Sequence, residues 1–214
     1  MSDKTNSGNF FEDFSLGQQI IHTTPCTLSE GDPSLYTALY GSHLAVNSSD
    51  MFAIALGFEA VLSGSAMLWD YYVIGEKVDH VDGMTIETDH MLATRLYQKT
   101  AKVHFINTLK RMVTLSLARA LSFNSLANAF PIVAINVGIH VAPAFSGNTI
   151  YTWSEVLGKL DIAGRDYLGA LRLRTLASKD QSCAAFPGKG KDGEYVNLII
   201  LSLYYTVLMR NLQN

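Results

Sequence analysis

Apolar residues follow one spacing before Pro131 and another after it. Val113–Phe130 (VTLSLARALSFNSLANAF) contains no Pro, no Gly and a single charge, Arg119. Leu and Ala dominate it, which favours helix. Its apolar side chains, among them Val113, Leu117, Leu121, Leu126 and Phe130, fall on more than one face, the pattern of a buried helix. The small residues between them let other backbone come close, and Pro131 ends the helix. Beyond it the spacing predicts strands over Ile132–Phe145, Thr149–Ile162, Tyr167–Asp180 and Tyr195–Met209. The segment Leu171-Arg172-Leu173-Arg174-Thr175-Leu176 alternates as a strand with one wet face does. A charge-poor helix followed by strands predicts an α+β, hot-dog architecture: an antiparallel sheet wrapped around the central helix Val113–Phe130. An ordinary helix on one face of an α+β sheet is the alternative.

The N-terminal pattern is different. A strand is expected over Gln18–Thr27. Ser29 is a good helix cap with Asp32 three residues on, and Pro33 fits the first turn. Leu35 and Leu39, and Tyr36 and Tyr40, repeat at helical spacing up to Gly41. A second short helix is expected over Ser48–Phe58. The pattern then restarts. Phe11-Glu12-Asp13-Phe14-Ser15-Leu16-Gly17 is echoed by Trp69-Asp70-Tyr71-Tyr72-Val73-Ile74-Gly75. Leu39-Tyr40 is echoed by Leu96-Tyr97, and Val46-Asn47 by Val103-His104. Two copies of one unit are implied. The chain divides into a partial N-terminal hot-dog copy (residues 1–58), a linker (59–67) and a complete hot-dog domain (68–214).

Of the 214 residues, 48% are hydrophobic and 16% charged. So apolar a chain is expected to bury surface between subunits, as a homo-oligomer, most simply a dimer. A net charge of −3 and the lack of a basic run exclude nucleic acid as the expected partner. The greasiest runs are broken by Arg119, Pro131 and several Asn, so no membrane span is expected. Cys26 and Cys183 are isolated thiols and the N-terminus is polar, which places the chain in a reducing, cytoplasmic setting. No HxH or HExxH occurs, and His22, His43, His80, His90 and His140 suggest no metal set. The GKGK of FPGKGKDGEY has no helix after it, so it reads as a solvated hairpin and not a phosphate loop.

FFEDFSLGQ, the Leu-Tyr helix, SLARALSFNSLANA and AFSGNTIYTWSEVL resemble the MaoC-like hydratases and dehydratases. The likeness covers nearly all of Asn9–Arg210. It implies two hot-dog units in one chain and water added or removed across a double bond next to a CoA thioester. Family members are longer, and the shortfall corresponds to the rest of the first unit, after Phe58. The implied substrate is a short-chain enoyl-CoA, mesaconyl-CoA-like, and CoA enters as part of it, so no separate cofactor is implied. The family's G-D-x-N-P-x-H pattern falls on Gln98–His104. It keeps His104 as a catalytic residue and has Lys99 at the acid position. The donors for the enolate oxygen fall at the start of the buried helix, at Arg111, Met112 and Val113, where the family has glycines. Two other readings stand beside this one. The first is a hot-dog acyl-CoA-binding or scaffold protein without turnover, favoured by Lys99 and by Arg111 and Met112. The weaker second is a hot-dog thioesterase, which would need a carboxylate near the buried helix.

Overall fold

The computed structural model describes residues 11–19, 27, 29–43, 65–91 and 111–212. The first helix, α1 (Gly31–Tyr40), is stopped by Gly41 in the left-handed region at φ 61, a conformation cheap only for glycine. Its start differs from expectation by one residue. The cap position is Glu30, without a side-chain bond, while the Asp32 carboxylate accepts the Ser29 N–H. Tyr40 at its end is fully buried. Gln18, Gln19 and Thr27 are irregular, and the remainder of the strand expected over Gln18–Thr27 lies outside the described residues. So do the helix expected over Ser48–Phe58 and the echoes at Leu96-Tyr97 and Val103-His104.

The first echo is preserved in three dimensions. Phe11–Asp13 and Trp69–Tyr71 are both 3-10 turns. Gly17 and Gly75 both take positive φ, 81 and 86. The side chains of Gln18 and Glu76 each accept the backbone N–H three residues earlier, on Ser15 and Val73, at 3.0 Å.

The expected central helix is present but shorter. α2 runs Arg111–Leu121, and a separate turn of helix, α3, covers Phe123–Leu126. Ser122 explains the break: its Oγ donates to the Arg119 carbonyl at 2.7 Å, and such back-bonding competes with the helical ladder. Arg119, in the last turn of α2, is 7% exposed. Its guanidinium donates to Ser122 Oγ and to the Ala129 carbonyl, so it caps the chain's exit from the helix.

Five antiparallel strands form one sheet: β1 (Lys77–Thr85), β2 (Ile132–His140), β3 (Thr149–Asp161), β4 (Leu168–Lys179) and β5 (Ile199–Arg210), in the order β1-β3-β4-β5-β2. The strand expected over Ile132–Phe145 stops at His140 and the one expected over Tyr195–Met209 begins at Ile199, while the other two differ by one residue at one or both ends. Lys189 and Tyr195 form an isolated antiparallel bridge, so FPGKGKDGEY is a hairpin. α2 packs across β1, β3, β4 and β5. Leu117 and Ala118 from the helix meet Ile150, Val156, Leu171, Leu173, Leu203 and Val207 from the sheet in one core, which Tyr40 of α1 also enters. α1 therefore lies against the core formed by α2 and the sheet.

The two sheet edges differ. β1 carries Lys77, Asp79 and Asp82 and an irregular register between Asp79 and Gly83, with Val81 at φ 66. Charges and bulges of this kind block strand addition. β2 has no Asp, Glu, Lys or Arg over its nine residues. Ile132, Val133, Ile135, Val137 and Ile139 are all exposed. In register, Ile132 and Ile135 pair with Val207 and Tyr205, while Val137 and Ile139 pair with Tyr204 and Ser202. Exposed apolar side chains thus lie on both faces of this edge among the described residues.

Candidate active site

α2 begins at Arg111, in the run where sequence reasoning placed the enolate-oxygen donors. The first backbone N–H groups of a helix have no partner one turn earlier, and the helix dipole adds positive potential there. The first turn contains no acidic residue to absorb that potential. Arg111 and Met112 occupy its first two positions. Val113 is 1% exposed and its side chain belongs to the core. Any contact Val113 makes with a ligand runs through its N–H. Lys99 and His104 lie outside the described residues, so Arg111, Met112 and Val113 are the predicted site residues that the fold places together.

The loop that joins β2 to β3 is built as a turn. Gly147 takes φ 93. The Gly147 N–H donates to the Ile86 carbonyl and the Ile86 N–H to the Asn148 carbonyl, both at 2.8 Å. Asn148 Oδ1 accepts the Phe145 N–H, and Asp180 accepts from Asn148 Nδ2 and from the Thr149 N–H. Asn148 therefore serves this turn through both ends of its amide.

Two histidines were not assigned a role by sequence reasoning and have defined surroundings. His90 is 7% exposed, with its ring 6.0 Å from that of Tyr40. Its Nδ1 lies 2.9 Å from the Glu87 backbone N and 3.2 Å from the Glu87 carbonyl oxygen, and its Nε2 is a buried atom with no hydrogen-bond partner among the described residues. His80 is fully buried and heads a chain of polar side chains across the sheet. His80 Nε2 meets Ser154 Oγ at 2.8 Å, Ser154 Oγ meets Thr175 Oγ1 at 2.6 Å, and Thr175 Oγ1 meets the Tyr205 hydroxyl at 3.0 Å. Burial, reinforced by the Arg119 charge, lowers the His80 pKa to about 3. His80 is thus a neutral core residue. The signal that marked it in sequence was slight: Ser154 and Thr175 are polar residues on the inward face of otherwise apolar strands.

No helix among the described residues is long and apolar enough to cross a membrane. No group of three His, Cys, Asp or Glu among them is placed to hold a metal ion.

No protein-family model matches the chain. Known proteins do. The chain is 35% identical to β-methylmalyl-CoA dehydratase of Chloroflexus aurantiacus, over 98% of the chain and 99% of that protein. It is 32% identical to mesaconyl-CoA hydratase of Cereibacter sphaeroides, over 96% and 99%. These alignments span 348 and 342 residues, longer than the chain itself, so they carry gaps opposite it. Among solved structures it matches a MaoC domain dehydratase from Chloroflexus aurantiacus with a TM-score of 0.89 at 34% identity, over 98% of the chain and 99% of that structure.

Proposed function

The chain belongs to the MaoC-like hydratases and dehydratases, and on that premise we propose that it adds or removes water across the double bond of a short-chain enoyl-CoA thioester, with mesaconyl-CoA as the model substrate. The observation that carries this reading is the likeness to a dehydratase and a hydratase along almost the whole chain. Hydration needs a base that takes a proton from water and an acid that supplies one to the carbon next to the thioester. It also needs donors for the enolate oxygen formed between those steps. His104 is assigned the proton transfers. Lys99 stands where the family has its acid and holds the water. A protonated Lys99 is not a base, and burial would have to lower its pKa first. The enolate oxygen is assigned to the backbone N–H groups at the start of α2, in the turn of Arg111, Met112 and Val113. CoA is part of the substrate, and the reaction calls for no further cofactor.

The assay is hydration of crotonyl-CoA and mesaconyl-CoA by purified protein, followed by loss of enoyl-thioester absorbance. Turnover above background is expected for at least one. A second reading, an acyl-CoA-binding hot-dog protein without turnover, is favoured by Lys99 at the acid position and by the side chains at Arg111 and Met112. Saturable acyl-CoA binding with no hydration of either substrate would select it.

The domain division at 1–58 and 68–214 and the homodimer belong to the same proposal. Among the described residues no strand pairs with the outer side of β2, which is nine residues long, uncharged and apolar on both faces, so a second copy can pair with it in antiparallel fashion about a twofold axis. Light scattering is expected to return twice the chain mass of 23.5 kDa.

A further inference from the structure

β1 carries a fully buried histidine on an edge strand. Among the described residues β1 pairs with β3 alone, and its register breaks between Asp79 and Gly83. His80 sits in that break. Val81 beside it has φ 66 and is 72% exposed, whereas the His80 ring is wholly covered. α3 holds the backbone of the break. Asn124 Nδ2 donates to the His80 carbonyl at 2.9 Å and to Asp82 Oδ2 at 2.7 Å, and Ser125 Oγ donates to the Asp79 carbonyl at 3.4 Å.

The pocket around the ring suits one proton and not two. His80 Nε2 meets Ser154 Oγ, while Nδ1 is buried with no hydrogen-bond partner among the described residues. An imidazolium has two N–H donors, so the second would be buried without an acceptor. The surrounding charges do not compensate. α2 presents Arg119, a second cation, which is bound to Ser122 and Ala129 and so cannot retreat. α3 has no titratable side chain. β3, β4 and β5 present Ser154, Thr175 and Tyr205 of the hydroxyl chain. Glu155 follows Ser154 and so lies on the opposite face of β3, where Arg174 pairs with it. On β1 itself, Asp79 accepts the Val81 N–H and Asp82 accepts from Asn124.

We propose that His80 is a proton-operated latch: the neutral ring closes β1 onto the sheet, and its protonation opens that edge while β4 and β5 stay paired. An edge strand bonded on one side is the least costly part of the sheet to release. Burial, and then the Arg119 charge, keep the closed ring neutral down to about pH 3, against 6.5 for a free histidine. Between those values the open state binds a proton that the closed state does not. Closure is therefore complete above pH 6.5 and weakens as pH falls towards 3. The latch is independent of the hydratase reading. The test is amide hydrogen exchange of the full chain from about pH 7 to about pH 4.5, corrected for intrinsic exchange rates. Protection over Lys77–Thr85 should fall about tenfold per pH unit below 6.5, the slope for uptake of one proton. Protection over Leu168–Lys179 and Ile199–Arg210 should hold. His80→Gln is neutral throughout and can still bond to Ser154, so in it the slope over Lys77–Thr85 should vanish, whatever the protection at neutral pH. If that variant does not fold, histidine NMR of the parent decides: the His80 signal of the closed state should stay that of a neutral ring across the same range. Protection over Lys77–Thr85 that does not change with pH would overturn the proposal. So would an equal fall in all three strands, the same slope in His80→Gln, or a closed-state His80 signal that titrates near pH 6.5.

Discussion

Residues 11–18 and 69–76 make the same turn from different side chains, and the two turns meet different fates. In the second, the Gly75 N–H donates to the Val156 carbonyl and the Val156 N–H to the Glu76 carbonyl, at 2.8 and 3.0 Å. Trp69 packs where Gly169 leaves no room for a Cβ, and its Nε1 donates to the Ala170 carbonyl at 3.1 Å. Tyr72 is 5% exposed and its hydroxyl donates to the Ser125 carbonyl. In the first turn, the counterpart of Tyr72 is Phe14, 46% exposed, and residues 12–19 are all exposed. Local chemistry, a positive-φ glycine and a side-chain acceptor, is enough to shape the turn. Burying it takes a sheet and a helix to rest on. The second turn has both, in β3, β4 and α3.

The comparison can be broken by removing what the docked turn rests on. Leu121 is 6% exposed in the core beside α3. Leu121→Asp buries an unpaired charge and should destabilise by several kcal/mol, roughly 4, read as loss of the cooperative melt. Next in size, Trp69→Ala should cost about 3 kcal/mol, whereas Phe14→Ala should stay within about 0.5 kcal/mol. Equal losses in denaturant titrations would mean the first turn is docked too. Tyr72→Phe should cost about 1 kcal/mol through the lost hydrogen bond to Ser125.

The same tyrosine gives a pH test. Burial, with a smaller contribution from Glu76, raises the Tyr72 pKa from 10 to about 12. Because the folded value lies above the unfolded one, the stability this group contributes is complete below pH 10. It is lost as pH rises through about 12. The melting temperature should fall over that interval, and less steeply in Tyr72→Phe. The smallest effect separates the glycines. Gly75→Ala and Gly17→Ala each force a side chain into positive φ, at a cost of about 1 kcal/mol. Only Gly75→Ala should register in the global melt, because the Gly17 turn can distort without disturbing the core.

The turn, the buried helix and the four strands after Pro131 were legible because each rests on local pattern, whereas β1 (Lys77–Thr85) was not expected. Pro131 and the apolar stripes marked the helix and strands, and the repeated Gly17 and Gly75 marked the turns. The helix break at Ser122 was not legible, because it depends on one hydroxyl choosing the Arg119 carbonyl over solvent. The partners of His80 were hidden for a similar reason: Ser154, Thr175 and Tyr205 come from three different strands, and only their register brings them together. The apolar β2 edge was foreshadowed only as excess apolar composition, since strand order decides which strand is outermost. Of the candidate site, Arg111, Met112 and Val113 fall in the first described turn of α2. The assignment of Lys99 and His104 rests on the family pattern alone, because both lie outside the described residues.

The most direct test of the functional account is steady-state hydration of mesaconyl-CoA by the parent chain and by His104→Ala, with melting curves recorded on both. The account predicts turnover in the parent and a fall of about 10²–10⁴-fold in His104→Ala, the range for a lost acid–base group, with the melting temperature unchanged. Equal turnover in the two proteins would contradict the assignment of His104, and no turnover in a folded parent would contradict the hydratase reading itself.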